Sequence, residues 1–183
     1  MARSEPTRRV VLIGFMGAGK TSVGRALAAR LEWNFCDLDN IIETREQQTV
    51  AAIFAERGEA GFRTAESAAL EQILQDSATP GDLVLALGGG AFVQAANRAA
   101  LERSGAVTVL LEAPLEELRR RCQGGGNVRP LARDAATFSR LFAERRFAYE
   151  LAQHHVDTMG KSVEQVAEEV ELLLAAGKPE VQQ

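Results

Sequence analysis

Residues 9–25 constrain this chain more than any other stretch. A continuous aliphatic run, Val10 to Ile13, leads into Gly14, Gly19, Lys20 and Thr21 at the spacing G-x-x-x-x-G-K-[ST]. In that spacing the glycines let backbone N–H groups close around phosphate oxygens, and the lysine reaches the terminal phosphates. Downstream, Val23, Leu27 and Leu31 recur at fourfold spacing with Ala26 and Ala28 filling in, so a helix opens at the lysine. Strand, glycine turn and helix follow in the order that adds a positive helix end to an anion site. The stretch predicts a parallel strand buried on both faces and a nucleoside triphosphate site.

With 183 residues, 46% hydrophobic and 25% charged, the whole chain, residues 1–183, suits one globular domain with a proper core. A net charge of −4 gives no bulk pull toward nucleic acid or anionic membrane, so neither is expected as a partner. Cys36 and Cys122 stand far apart and outside any metal-ligand spacing, which fits reduced thiols. Met1 to Arg9 is polar, and no run approaches the ~18 apolar residues of a membrane span. A cytoplasmic protein acting as a monomer is expected, with Lys178 to Gln183 as a loose tail.

Along the chain, Trp33 to Leu38 reads as a second strand ending in Asp37-Leu38-Asp39. Alternation would point both carboxylates to the ligand side, to serve a metal and a hydroxyl or to cap the helix that follows. Thr49 is placed to cap a helix from Val50 to Arg57 that Gly58 ends, and a second helix runs from Phe62 to Leu74. Leu83 to Leu87 is a buried strand closing on Gly88-Gly89-Gly90, either a site of close ligand approach or a plain kink. A helix from Gln94 to Arg103, a strand from Val107 to Leu111 and a helix from Pro114 through Cys122 follow. The segment of about residues 120–132, glycine-rich and flanked by arginines, has the makeup of a phosphate-covering lid or of a flexible surface loop. Asp134 to His154 is an amphipathic helix with Phe138, Leu141, Phe142, Tyr149 and Leu151 on its core side. A strand near Val156 and a helix from Ser162 to Ala176 close the domain. Alternating helices and apolar strands specify an α/β class, three-layer α/β/α sandwich.

Five ordered features together resemble the shikimate kinase family over about residues 9–165. They are Gly-Phe-Met-Gly-Ala-Gly-Lys-Thr, Asp37-Leu38-Asp39, Gly58-Glu59 followed by Phe62-Arg63 and Glu66, Gly88-Gly89-Gly90, and Arg129-Pro130-Leu131 with Arg145 four before Tyr149. The resemblance implies a P-loop kinase with a five-stranded parallel sheet in order 2-3-1-4-5 and a lid, phosphorylating the 3-hydroxyl of shikimate with ATP and Mg²⁺ on the route to chorismate. Carried over by position, Gly17, Ala18, Gly19, Lys20, Thr21 and Ser22 hold the ATP phosphates. Lys20 contacts the transferring group, Thr21 and Asp37 serve Mg²⁺, and Arg129 reaches the phosphates. Asp39, Arg63, Gly88, Gly89, Gly90 and Arg145 bind shikimate, and Asp39 orients and accepts a proton from the hydroxyl. Adenine stacking falls to Arg120 or Arg121, with Arg121 carried forward, and the C-terminal adenine contact to Lys161 or Ser162, with Ser162 carried forward.

The chemistry of the acceptor agrees with that division. Shikimate presents one carboxylate and three hydroxyls, which call for arginines on one side and for a carboxylate and backbone groups on the other. Many family members have a proline between the helix arginine and the tyrosine, where this chain has Phe147 and Ala148. The rival readings are a gluconate or nucleoside monophosphate kinase of the same fold and an inactive nucleotide-binding module. Arg63, Arg145 and the glycine run argue for a small carboxylate acceptor, and retention of Lys20, Thr21 and both aspartates argues against decay.

Overall fold

The computed structural model describes residues 7–75, 81–124 and 134–176. Arg129 and most of the expected lid lie outside the described residues, as does the C-terminal tail. Five strands, β1 (Arg9–Ile13), β2 (Asn34–Asp37), β3 (Leu83–Ala86), β4 (Val107–Glu112) and β5 (His154–Asp157), form one sheet in the order β2-β3-β1-β4-β5. Every pairing is parallel, with Leu12 opposite Ala86 on one side and Val109 on the other. Central position explains why Val10 to Ile13 are all buried, while edge strand β2 is half-exposed. Each such aliphatic side chain contributes on the order of 1.5–3 kcal/mol by leaving water.

Helices α1 (Lys20–Leu31), α2 (Leu38–Glu46), α3 (Val50–Gln75), α4 (Ala95–Arg103), α5 (Leu115–Gly124), α6 (Ala135–Tyr149) and α7 (Val163–Ala176) cover the sheet. In α1 the fourfold apolar spacing buries Val23 and Leu27. Phe138 of α6 is fully buried, edge-on to Phe15 at 4.9 Å between ring centroids. Among the described residues no helix is long and apolar enough to cross a membrane.

Three local expectations change. Strand β2 stops at Asp37, whose carboxylate accepts from the Asp39 amide at 3.1 Å and caps α2, so Asp39 sits in a helical first turn and not on the strand. Leu38, fully buried, is drawn into the core by that turn. Within α3 two helical runs meet at a kink at Gly58 (φ 67°, ψ −175°), which ends the first run as expected, while the second begins just after that glycine and not at Phe62. Helix α6 ends at Tyr149, five residues early, since residues 154–157 must extend to pair with β4. Leu151, expected in the core, falls in the intervening turn and is half-exposed.

Candidate active site

The loop between β1 and α1 lies at the carboxyl edge of the central strands, where parallel α/β sheets place their ligands. Gly17 (φ 82°) needs glycine twice over, since a methyl group there would also collide with the Leu118 carbonyl. Lys20 Nζ donates to the carbonyls of Gly14 at 2.8 Å and Phe15 at 3.1 Å, holding the ammonium over the loop. Thr21 Oγ1 donates to Asp37 Oδ2 at 2.8 Å, so hydroxyl and carboxylate meet beside the N-terminus of α1. A cavity of about 450 Å³ joins Lys20, Thr21 and Ser22 to Asp37, Asp39, Gly88 and Gly89. That is the size of a small-molecule site. A cleft of about 500 Å³ lies beyond Phe15, but its described walls are mainly apolar and its arginine, Arg146, is tied to Glu150 at 2.9 Å. Of the two, the first cavity has the lysine, hydroxyls and helix N-terminus suited to phosphate.

The three glycines after β3 organise the other half of the site. A methyl group on Gly88 would stand 2.7 Å from Asp39 Oδ1, and one on Gly89 3.1 Å from Arg145 Nη1. On Gly90 it would overlap the guanidinium of Arg63. Thus each glycine faces one of the three side chains singled out in the sequence, brought from α2, α6 and α3 respectively. Any Cβ in the run would displace a charged group.

Arg63 is held in place by carboxylates. It donates to Glu66 at 2.8 Å and to Glu59 at 3.2 Å, and its pKa is raised because those carboxylates outweigh the opposing effect of burial. Glu66 is fully buried and also accepts from Gln94 at 3.0 Å. Burial pushes its pKa up, Arg63 opposes that, and Asp39 adds to it. Tyr149 donates its hydroxyl to the Gly89 carbonyl, and Phe54 and Phe62 stack at 4.5 Å beside Arg63.

A cavity of about 320 Å³ adjoins the phosphate loop between α5 and the segment before α7, touching Ala18, Ser22, Arg121, Lys161 and Ser162. Arg121 is clamped there by Glu117 at 2.8 Å and by the hydroxyl and carbonyl of Thr158 at 2.8 and 3.0 Å. Arg120, far more exposed, makes two 2.7 Å bonds to Glu117, and hydrogen bonds from Arg120 and Arg121 pull the Glu117 carboxyl down to about 2. Of the two arginines, Arg121 presents the more fixed face to this cavity.

The sequence-selected residues of the phosphate loop, with Asp37, Asp39, Gly88, Gly89, Arg121 and Ser162, line these two adjoining cavities, while Arg63, Gly90 and Arg145 line neither and meet at the glycine run beside them. Glu66, Gln94, Tyr149 and the Phe54–Phe62 stack have no assigned role in the sequence reading. Phe62, Glu66 and Tyr149 stood in quoted motifs, Tyr149 in the expected core as well, but nothing about Gln94 marked it.

Comparison with known proteins finds one family model, described as shikimate kinase, matching residues 16–174. A shikimate kinase from Salinibacter ruber is 40% identical over 182 residues, covering 93% of this chain and 87% of the relative. One from Geobacter metallireducens is 41% identical over 166 residues, covering 89% of each. Among solved structures, a shikimate kinase from Acinetobacter baumannii in complex with shikimate superposes with a TM-score of 0.83 at 35% identity, covering 95% of this chain and 96% of that one.

Proposed function

This chain belongs to the shikimate kinase family, ATP-dependent enzymes that phosphorylate an alcohol group of shikimate in aromatic amino acid biosynthesis, and from that premise we propose how its residues divide the work. ATP and shikimate are its small-molecule substrates. Gly17 to Ser22 hold the ATP phosphates, with Lys20 leaving the loop carbonyls for the transferring group. Arg121 and Ser162 flank the adenine, and Arg129, outside the described residues, adds charge at the phosphates. Arg63 and Arg145 take the shikimate carboxylate. Asp39 and the backbone of Gly88, Gly89 and Gly90 take hydroxyls, and Asp39 orients the 3-hydroxyl and receives its proton.

Thr21 and Asp37 would hold Mg²⁺. Hydroxyl and carboxylate oxygens 2.8 Å apart suit an ion that keeps waters and shares phosphate ligands, and no cluster of three metal-ligating side chains occurs among the described residues to favour a closed site. When bound, the ion neutralises charge on the phosphates. The enzyme works as a monomer in the cytoplasm on this reading.

One observation carries the assignment of the acceptor: three successive glycines, each pressed against a different side chain suited to a hydroxyl or a carboxylate. The gluconate-type and inactive readings are not favoured, since the matching family and the relatives above are shikimate kinases. ATP consumption measured across shikimate, quinate and gluconate tests the proposal. Shikimate should give the highest kcat/KM by at least about tenfold, a difference of ~1.4 kcal/mol in transition-state stabilisation. Turnover of gluconate with none of shikimate would overturn it.

A further inference from the structure

Tyr149 is buried at the last position of α6, with 4% of its surface exposed, yet it is not an inert core aromatic. Its hydroxyl donates to the carbonyl of Gly89, sixty residues away in sequence, in the middle of the glycine run. One helical turn earlier on the same face stands Arg145. A methyl group on Gly89 would lie 3.1 Å from Arg145 Nη1 and 3.7 Å from Tyr149 Oη, so guanidinium and phenol converge on one glycine. The Arg145 guanidinium is flanked on another side by the Phe15 ring, 5.7 Å from its centroid.

Two physical consequences follow. A trans peptide is planar, with N–H opposite C=O, so anchoring the Gly89 carbonyl on the phenol fixes the Gly90 N–H on the far side of the same plane. A buried phenol also stays a donor across the working range. Burial pushes the Tyr149 pKa up to about 12, against the pull of Arg145.

We propose that Tyr149 is a positioning residue for the acceptor: it fixes the Gly89–Gly90 peptide and the adjoining Arg145 in a single geometry for the substrate carboxylate and hydroxyls. This rests on the assignment of Arg145 and the glycine run to shikimate. The same assignment gives ATP to the loop after β1, so loss of the hydroxyl should act mainly on the acceptor.

Tyr149 is the one tyrosine of the chain, which makes the test clean. In the full-length enzyme, Tyr149→Phe should raise the KM for shikimate about five- to tenfold, the worth of one hydrogen bond, and leave the KM for ATP unchanged. Combined with Arg145→Lys, its effect should be less than additive, because each change disturbs the same geometry. Uniform replacement of tyrosine by 3-fluorotyrosine supplies a readout that does not need the Phe variant to fold. The single fluorine resonance should move on adding shikimate and hold still on adding a nonhydrolysable ATP analogue.

Unchanged shikimate KM, parallel changes for both substrates, full additivity with Arg145→Lys, or a fluorine line indifferent to shikimate would each overturn the proposal. If the unaltered enzyme fails to phosphorylate shikimate, the assignment beneath it has failed and the proposal falls with it.

Discussion

Arg63 shows what a single residue contributes and how little of that its position in the sequence reveals. Its guanidinium spans Glu66 and Glu59 while lying flat against Gly90, a fit that needs a planar fork with several fixed donors. Lysine at 63 would keep the charge and lose the fork. Arg63→Lys should therefore weaken shikimate binding by about one to two decades, equivalent to ~1.5–3 kcal/mol for a charge-assisted bond, and leave ATP affinity unchanged. Calorimetric titration with shikimate and with an ATP analogue measures both; normal shikimate binding would remove Arg63 from the acceptor site. Lys20 was legible from its own motif, whereas Arg63 beside a glutamate reads as an ordinary surface pair and was singled out only through the family resemblance. The direction in which Glu66 is buried and the bond from Tyr149 to Gly89 were not legible, because spacing says which residues share a face and not what faces them across the fold.

At the level of elements, the periodicities located all five strands, and the misreadings fell at ends. The end of β2 was misplaced because Asp37 serves as both strand residue and helix cap, a choice made by the burial of Leu38. The kink in α3 shows the reverse case, where one glycine announces itself. Gly58 occupies a backbone region that only glycine adopts without strain, and a methyl group there would meet nothing within 4 Å. The cost of Gly58→Ala is thus purely conformational, about 1–3 kcal/mol, and urea unfolding should show it. Since Phe54 lies before the kink and Phe62 and Arg63 after it, shikimate binding should weaken as well. Wild-type stability in Gly58→Ala would mean that the kink is not the form α3 holds in solution.

Across the whole molecule, the sheet order decides where chemistry can happen. With β1 between β3 and β4, the loops leaving β1 and β3 open side by side at the carboxyl edge, one proposed for phosphate and the other for a small acid. Helices α2, α3 and α6 then deliver Asp39, Arg63 and Arg145 to successive glycines of the second loop, from positions as much as 106 residues apart. Composition and motif order made the layers and the P-loop legible; this convergence required the folded chain. It is also the claim on which the function rests, and a crystal structure with shikimate and a nonhydrolysable ATP analogue tests it. The shikimate carboxylate should lie within hydrogen-bond distance of both Arg63 and Arg145, with a ring hydroxyl on Asp39 and the terminal phosphate facing it from Lys20. A carboxylate bound away from both arginines, or a hydroxyl that leaves Asp39 and the glycine run untouched, would contradict the account.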